Sequence, residues 1–187
     1  LANKHLWNIP NILTIMRVLL IPVLVLLAYL PAFPWQHGLT AGVFVLAAIT
    51  DWFDGYLARA LNQSSAFGRF LDPVADKLMV AAALVILVQN QPTIWVVIPA
   101  IVIISREITI SALREWMAEL GKRANVAVSA IGKWKTTAQM SAIAILLVQH
   151  PLLDRIGYVL LYIAVILTIW SMLIYLKAAW PDLSKAD

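Results

Sequence analysis

The chain contains no cysteine, which excludes disulfide and thiolate chemistry without fixing a redox compartment. Charge is scarce as well: 13% of residues are Asp, Glu, Lys or Arg, against 62% hydrophobic and a mean hydropathy of +0.85. Soluble domains carry about 25% charged residues, so this balance excludes one and indicates an integral membrane protein. Histidine is limited to His5, His37 and His150, which fall at separate segment ends and form no common ligand set. Internal repeats and low-complexity stretches are also missing. The net charge of +4 suits anionic lipid or phosphate ligands without choosing between them, and no nucleic-acid partner is expected.

What the chain has instead is long apolar runs. A hydrocarbon crossing needs about 20 apolar residues, and the stretches 11–30, 38–60, 66–89, 92–116, 130–149 and 154–178 approach or exceed that length. Polar or proline-bearing connections separate them, such as Leu30-Pro31-Ala32-Phe33-Pro34, Gln89-Asn90-Gln91-Pro92 and Gln149-His150-Pro151. Lys4 and Trp7 mark residues 1–10 as an interfacial segment rather than a cleavable signal, because no small-residue cleavage site follows the first apolar run. Trp35, Trp95 and Trp170 read as interfacial belt residues.

Lys4, Arg17, Arg59, Arg69, Arg114, Lys122, Arg123, Lys177 and Lys185 fall on one set of connections, whereas the opposite set carries Arg155. The positive-inside rule then places both termini in the cytoplasm. The expected fold is a single all-α integral membrane domain over residues 1–187, with six transmembrane helices.

Against this background one run stands out, Asp51 to Lys77, DWFDGYLARALNQSSAFGRFLDPVADK. With about 100° per residue, Asp51, Asp54, Gly55 and Ala58 share one face of a helix. Gly68, Asp72 and Asp76 form an i, i+4, i+8 row on the next. If the two segments form an antiparallel hairpin about the turn Asn62-Gln63-Ser64-Ser65, the four acids converge near one membrane surface. An Asp at a helix centre costs about 2.5–3.5 kcal/mol to insert even on translocon scales, so such a cluster needs a compensating cation. All-oxygen donors suit a hard divalent ion, Mg²⁺ or Mn²⁺, in a site that shares the ion with substrate phosphates. Pro73 is expected to bend the second segment and disturb the Asp72–Asp76 alignment.

Gly55, Ala58 and Gly68 leave room for a nucleotide or phosphate to approach the backbone, with Arg59 and Arg69 beside them to bind phosphate oxygens. Close helix packing is the plainer role for the small residues. Asn11, Thr14 and Arg17 recur three apart on the first segment and present one face to a nucleotide or its phosphates, or else cap and bond their own helix. Farther along, Arg106, Arg114, Lys133 and Lys135 supply cations for a second ligand carrying its own phosphate. Arg114 has an alternative partner in Glu107, about 20° away around the helix, while Arg106, Lys133 and Lys135 have fewer evident acids. This surplus favours a phosphorylated alcohol over choline or ethanolamine. Thr136 and Thr137 read as packing residues.

The spacing D-x2-D-G-x2-A-R-x8-G-x3-D-x3-D resembles that of the CDP-alcohol phosphotransferases, its fixed positions being Asp51, Asp54, Gly55, Ala58, Arg59, Gly68, Asp72 and Asp76. The resemblance implies a six-helix homodimeric enzyme holding a pair of divalent ions, in which an alcohol displaces CMP from a CDP-linked lipid. It makes Asp51, Asp54 and Asp72 metal ligands, with Asp76 near the metal as general base. The residues themselves leave open whether Asp76 is chiefly base or ligand. NIPNILTIMRVLLIP, TDWFDGYLAR, FLDPVADK and SREITISALREWMAELGKRANVAVSAIGKWKTTAQM resemble the bacterial branch of the family that uses sn-glycerol 3-phosphate, over a span from Asn8 to Tyr175. That implies phosphatidyl transfer from CDP-diacylglycerol among the lipids of a bacterial cytoplasmic (inner) membrane, at a site facing the cytoplasm. The alternatives are a family member with another acceptor (inositol phosphate, serine or phosphatidylglycerol) and, from another class, a cation-coupled transporter. A transporter would spread its acids along a path through several helices.

Overall fold

The structure is a computed structural model that describes residues 9–60, 66–119, 121 and 130–183, without the side chains of 9–10, 54–60, 66, 69, 130–133 and 182–183. Several expectations therefore lie outside the described residues: the interfacial segment before Ile9, the turn Asn62–Ser65, and the side chains of Asp54, Gly55, Ala58, Arg59, Arg69 and Lys133.

The regular secondary structure among the described residues is helical: α1 Ile9–Tyr29, α2 Gln36–Ala60, α3 Ala66–Asn90, α4 Ile94–Glu119, α5 Ala130–Leu147 and α6 Pro151–Leu183. These bounds track the six apolar stretches because the same residues that suit lipid, Leu, Ile, Val and Ala, bury a continuous helical backbone whose polar groups bond within the segment. The ends have identifiable causes. Gln36 Nε2 donates to Leu27 O at 2.9 Å and Leu30 O at 3.0 Å, taking up carbonyls that α1 leaves without helical partners. Beyond the C-terminus of α4, Gly121 adopts φ +67°, a conformation that glycine accepts without strain. Pro151 opens α6, where its missing N–H costs nothing, and His150 O accepts from the backbone of Leu153 and Asp154 at 2.8 and 2.9 Å.

By length and composition, three stretches among the described residues can cross a membrane: Asn11–Tyr29 in α1, Ile94–Glu119 in α4 and Pro151–Pro181 in α6. The remaining helices carry charged residues near one end, acids and cations on α2 and α3 and lysines on α5, which shortens their uninterrupted apolar length. Large apolar side chains face outward on many helices, including Leu19, Leu26, Val85, Ile101, Ile108 and Ile166. Such a surface belongs in lipid, and the protein is an all-α membrane protein.

Packing brings the acid-bearing helices together by a route the sequence does not announce. Among the described residues α1 lies against both α2 and α3, which also touch each other. α1 thus links the acids of α2 and α3, through Arg17 to Asp51 and Thr14 to Asp72. On the other side α5 runs along α6, α4 also packs on α6, and α3 reaches α4 and α5. Leu24, Phe44, Met79, Leu84, Ile103 and Leu146 are buried where these helices meet. Gly157 permits the tight α5–α6 approach, since a Cβ there would stand 2.7 Å from Leu146 Cδ2.

Two further expectations meet the structure here. Pro73 lies inside α3, which continues from Ala66 to Asn90; membrane helices tolerate proline because neighbouring groups take up the freed carbonyl. Trp170 lies within α6 and is 58% exposed.

Candidate active site

The site begins on α1. Asn11, Thr14 and Arg17 follow one another at intervals that hold them on a single helical face, and all three are buried. That face meets the acids. Arg17 Nη1 stands 2.6 Å from Asp51 Oδ1 of α2, and the Thr14 hydroxyl donates to Asp72 Oδ1 of α3 at 2.5 Å. Thr14 therefore reaches across to a neighbouring helix instead of serving its own helix alone. Gly68 is buried on α3, one helical turn before Asp72.

Asp76, one turn beyond Asp72, belongs to two groups at once. The charges of Asp51 and Arg17 reach its carboxylate, and so do those of Glu107 and Lys135. It also lines a cavity of about 220 Å³ whose other polar walls include Lys77, Arg106, Arg114, Lys135 and Gln139. The motif acids and the distant cations, separate in sequence, are thus contiguous around Asp76.

Within this cavity the charges are paired differently from the expectation. Glu107 Oε1 accepts from Lys135 Nζ at 2.6 Å and from Arg106 Nη1 at 2.8 Å. Glu107 is thus the acid that serves Arg106 and Lys135, rather than Arg114, the alternative partner that helical spacing offered. Arg114 is exposed and contributes to the cavity wall. Arg106 Nη2 donates to Ser171 Oγ of α6 at 3.3 Å, while its buried Nε has no hydrogen-bond partner among the described residues. That leaves part of a guanidinium fork for an oxyanion.

Sequence reasoning missed several residues here. Lys77 bonds Ser111 and lines the cavity; its position directly after Asp76 was the available signal. Gln139 follows Lys135 by four residues and so shares its helical face. Tyr175, on α6, carried no such signal. Thr136, expected to serve packing, lines the same cavity. Beside the polar cavity, an apolar groove of about 300 Å³ runs between α2 and α5 past Phe44, Ala48, Trp52 and Ala144, sharing Met140 with it.

The acids suit a hard divalent cation by donor chemistry, since every candidate ligand is a carboxylate oxygen. Among the described residues no three candidate ligands are grouped closely enough to hold a metal by themselves. Asp54, the remaining motif acid, lies outside the described side chains.

With this geometry in place, comparison with known proteins is direct. Residues 7–170 match the family model described as CDP-alcohol phosphatidyltransferase. A protein of Salmonella choleraesuis named CDP-diacylglycerol–glycerol-3-phosphate 3-phosphatidyltransferase is 57% identical over 95% of this chain and 97% of its own length. A Pseudomonas fluorescens protein of the same name is also 57% identical, over 96% of this chain and 93% of its own. A family match covering most of the chain, joined to relatives this similar along nearly their full length, identifies the protein as a transferase enzyme of the CDP-alcohol phosphatidyltransferase family.

Proposed function

We propose that the protein transfers the phosphatidyl group of CDP-diacylglycerol to sn-glycerol 3-phosphate, giving phosphatidylglycerophosphate and CMP. The names of its relatives in Salmonella and Pseudomonas support this choice of substrates. What carries the reading to particular residues is the cavity in which Asp76 shares a wall with Arg106, Arg114 and Lys135. An acceptor that brings both a phosphate and an alcohol needs cations for one and a base for the other, in a single space.

In this mechanism Arg106, Arg114 and Lys135, with Lys133, hold the acceptor phosphate and thereby orient the hydroxyl toward Asp76. Asp76 accepts the hydroxyl proton as the oxygen attacks the lipid-side phosphorus. The new O–P bond forms while the bond to CMP breaks, and CMP leaves with the electron pair. Gly55, Ala58 and Gly68 admit the nucleotide end of the CDP-lipid, while Arg59, Arg69 and the Asn11–Thr14–Arg17 face bind its phosphates. Mg²⁺ or Mn²⁺, a pair of ions held by Asp51, Asp54, Asp72 and Asp76, would supply positive charge against the pyrophosphate. The acyl chains reach the site laterally from the bilayer, by the apolar groove whose wall includes Trp52, the neighbour of Asp51.

The same reading gives a single domain with six spans in a bacterial inner membrane, its termini and site on the cytoplasmic side. The distribution of Lys and Arg supports that orientation, and the resemblance to the family supports a homodimer. The confinement of the acids to one region of adjoining helices favours this reading over a transporter.

The test is CMP release by purified protein with CDP-diacylglycerol and Mg²⁺, offered sn-glycerol 3-phosphate, inositol phosphate, serine or phosphatidylglycerol. Release confined to sn-glycerol 3-phosphate is expected. Release with a different acceptor would overturn the assignment of the phosphate-binding cations.

A further inference from the structure

The polar cavity contains a buried acceptor that neither phosphate binding nor proton transfer uses. Gln139 is 4% exposed, and its buried Oε1 has no hydrogen-bond partner among the described residues. It lies four residues beyond Lys135 on the same face of α5, about 6 Å farther along the helix axis, and lines the cavity with Asp76, Arg106 and Lys135. A buried acceptor without a partner is unfavourable, so this atom asks for a donor from whatever enters the cavity.

The donor cannot be the acceptor's ionised phosphate, which offers lone pairs rather than protons, and the cations are placed to take that group. Nor is it the attacking hydroxyl, whose proton goes to Asp76. Glycerol 3-phosphate has a second hydroxyl, on its middle carbon, which takes no part in bond formation. From these placements we infer that Gln139 is a specificity-determining residue that accepts a hydrogen bond from this non-reacting hydroxyl. The inference rests on the acceptor proposed above. It adds a reason for the enzyme to distinguish a glycerol phosphate from a simple hydroxyalkyl phosphate with the same phosphate and the same reactive end. Gln139 is suited to this task because it is neutral and its acceptor is buried, whereas Thr136 is exposed and Tyr175 half-buried. Glu107 is engaged by Arg106 and Lys135, and Lys77 is a donor that bonds Ser111.

The experiment compares kcat/KM for sn-glycerol 3-phosphate and 3-hydroxypropyl phosphate, which lacks the middle hydroxyl, in the full-length protein and its Gln139→Met and Gln139→Glu variants. The unsubstituted enzyme should favour sn-glycerol 3-phosphate by about 10-fold or more, the difference expected from pairing a buried acceptor. Gln139→Met should bring the ratio close to unity while leaving the KM for CDP-diacylglycerol unchanged. Gln139→Glu, which keeps an accepting oxygen, should retain the preference even if its overall rate falls.

Equal use of the two acceptors by the unsubstituted enzyme would overturn the inference, as would an undiminished preference in Gln139→Met. A general packing role would lower both rates together and leave their ratio intact. If the unsubstituted enzyme released no CMP with sn-glycerol 3-phosphate but did so with another acceptor, the proposed function would fail first, and this inference with it.

Discussion

Arg17 on α1 stands 2.6 Å from Asp51 on α2, with Arg17 almost fully buried and the Asp51 side chain 47% exposed. The arrangement ties a cation of the first helix directly to the first acid of the motif. A buried guanidinium in a membrane protein is retained where an acid compensates it, and here that acid also belongs to the proposed metal and CDP-lipid site. Arg17→Met should therefore lower kcat/KM for CDP-diacylglycerol by about 10-fold or more, the loss associated with a charge-assisted contact. Turnover measurements on detergent-purified protein check this. Unchanged kinetics would confine Arg17 to a packing role.

Asp76→Asn keeps the size and polarity of the side chain while removing the base. Turnover should fall by about 100- to 10,000-fold, the range for a positioned general base, while CDP-diacylglycerol binding largely survives. Single-turnover CMP release together with a direct binding measurement separates the two. Near-normal turnover in this variant would refute the general-base assignment.

How much of this could be read without coordinates depended on the length scale. The helices were legible because each is a long apolar run ended by residues such as Pro31, Pro34, Pro92 and Pro151. The acids were legible through their spacing and their rarity in lipid. The position of α1 between α2 and α3 was not: in a bilayer the outside of a helix is as apolar as its inside, so no periodic stripe marks the packed face. The pairing of Glu107 with Lys135 was missed for a related reason. Helical spacing nominated Arg114 on the same helix, but the chosen partner lies on α5 and is brought near by packing.

That pairing has its own consequence. Glu107 is bonded to Lys135 and Arg106 at once, so Glu107→Gln would leave two cations adjacent and without their shared counter-charge. The substitution should lower the thermal midpoint in detergent. Adding Lys135→Met should recover part of that stability, because removing both members of a buried pair is less damaging than removing one. Recovery of stability should come without recovery of the acceptor KM. A double variant no more stable than Glu107→Gln alone would show that the ion pair does not govern stability.

Arg106 and Arg114 should differ although both line the cavity. Arg106 is held by Glu107 and Ser171, with Nε directed into buried space, whereas Arg114 is exposed. A preorganised guanidinium loses less freedom on binding and acts in a less screened environment. Arg106→Ala should raise the KM for sn-glycerol 3-phosphate by about 30-fold or more, and Arg114→Ala by less. Initial-rate kinetics over a range of acceptor concentrations test the order. A larger effect at Arg114 would move the phosphate toward the exposed mouth of the cavity.

Removal of divalent ions tests the motif acids as a group. Their oxygen-only donor chemistry suits Mg²⁺ or Mn²⁺, and the acids on α2 and α3 meet around α1 close to the proposed pyrophosphate position. A chelator should reduce CMP release to background, and either ion added in excess should restore it. Asp72→Asn should raise the Mg²⁺ concentration needed for half-maximal rate, since it weakens a proposed ligand while leaving an oxygen available to Thr14. The matching Thr14→Val variant provides the control. It removes the 2.5 Å hydrogen bond to Asp72 but leaves the carboxylate, so its Mg²⁺ requirement should shift less. Full activity in the presence of chelator would remove the metal from the mechanism. A larger shift in Thr14→Val than in Asp72→Asn would instead make the orientation of Asp72, rather than its charge, the property on which the site depends.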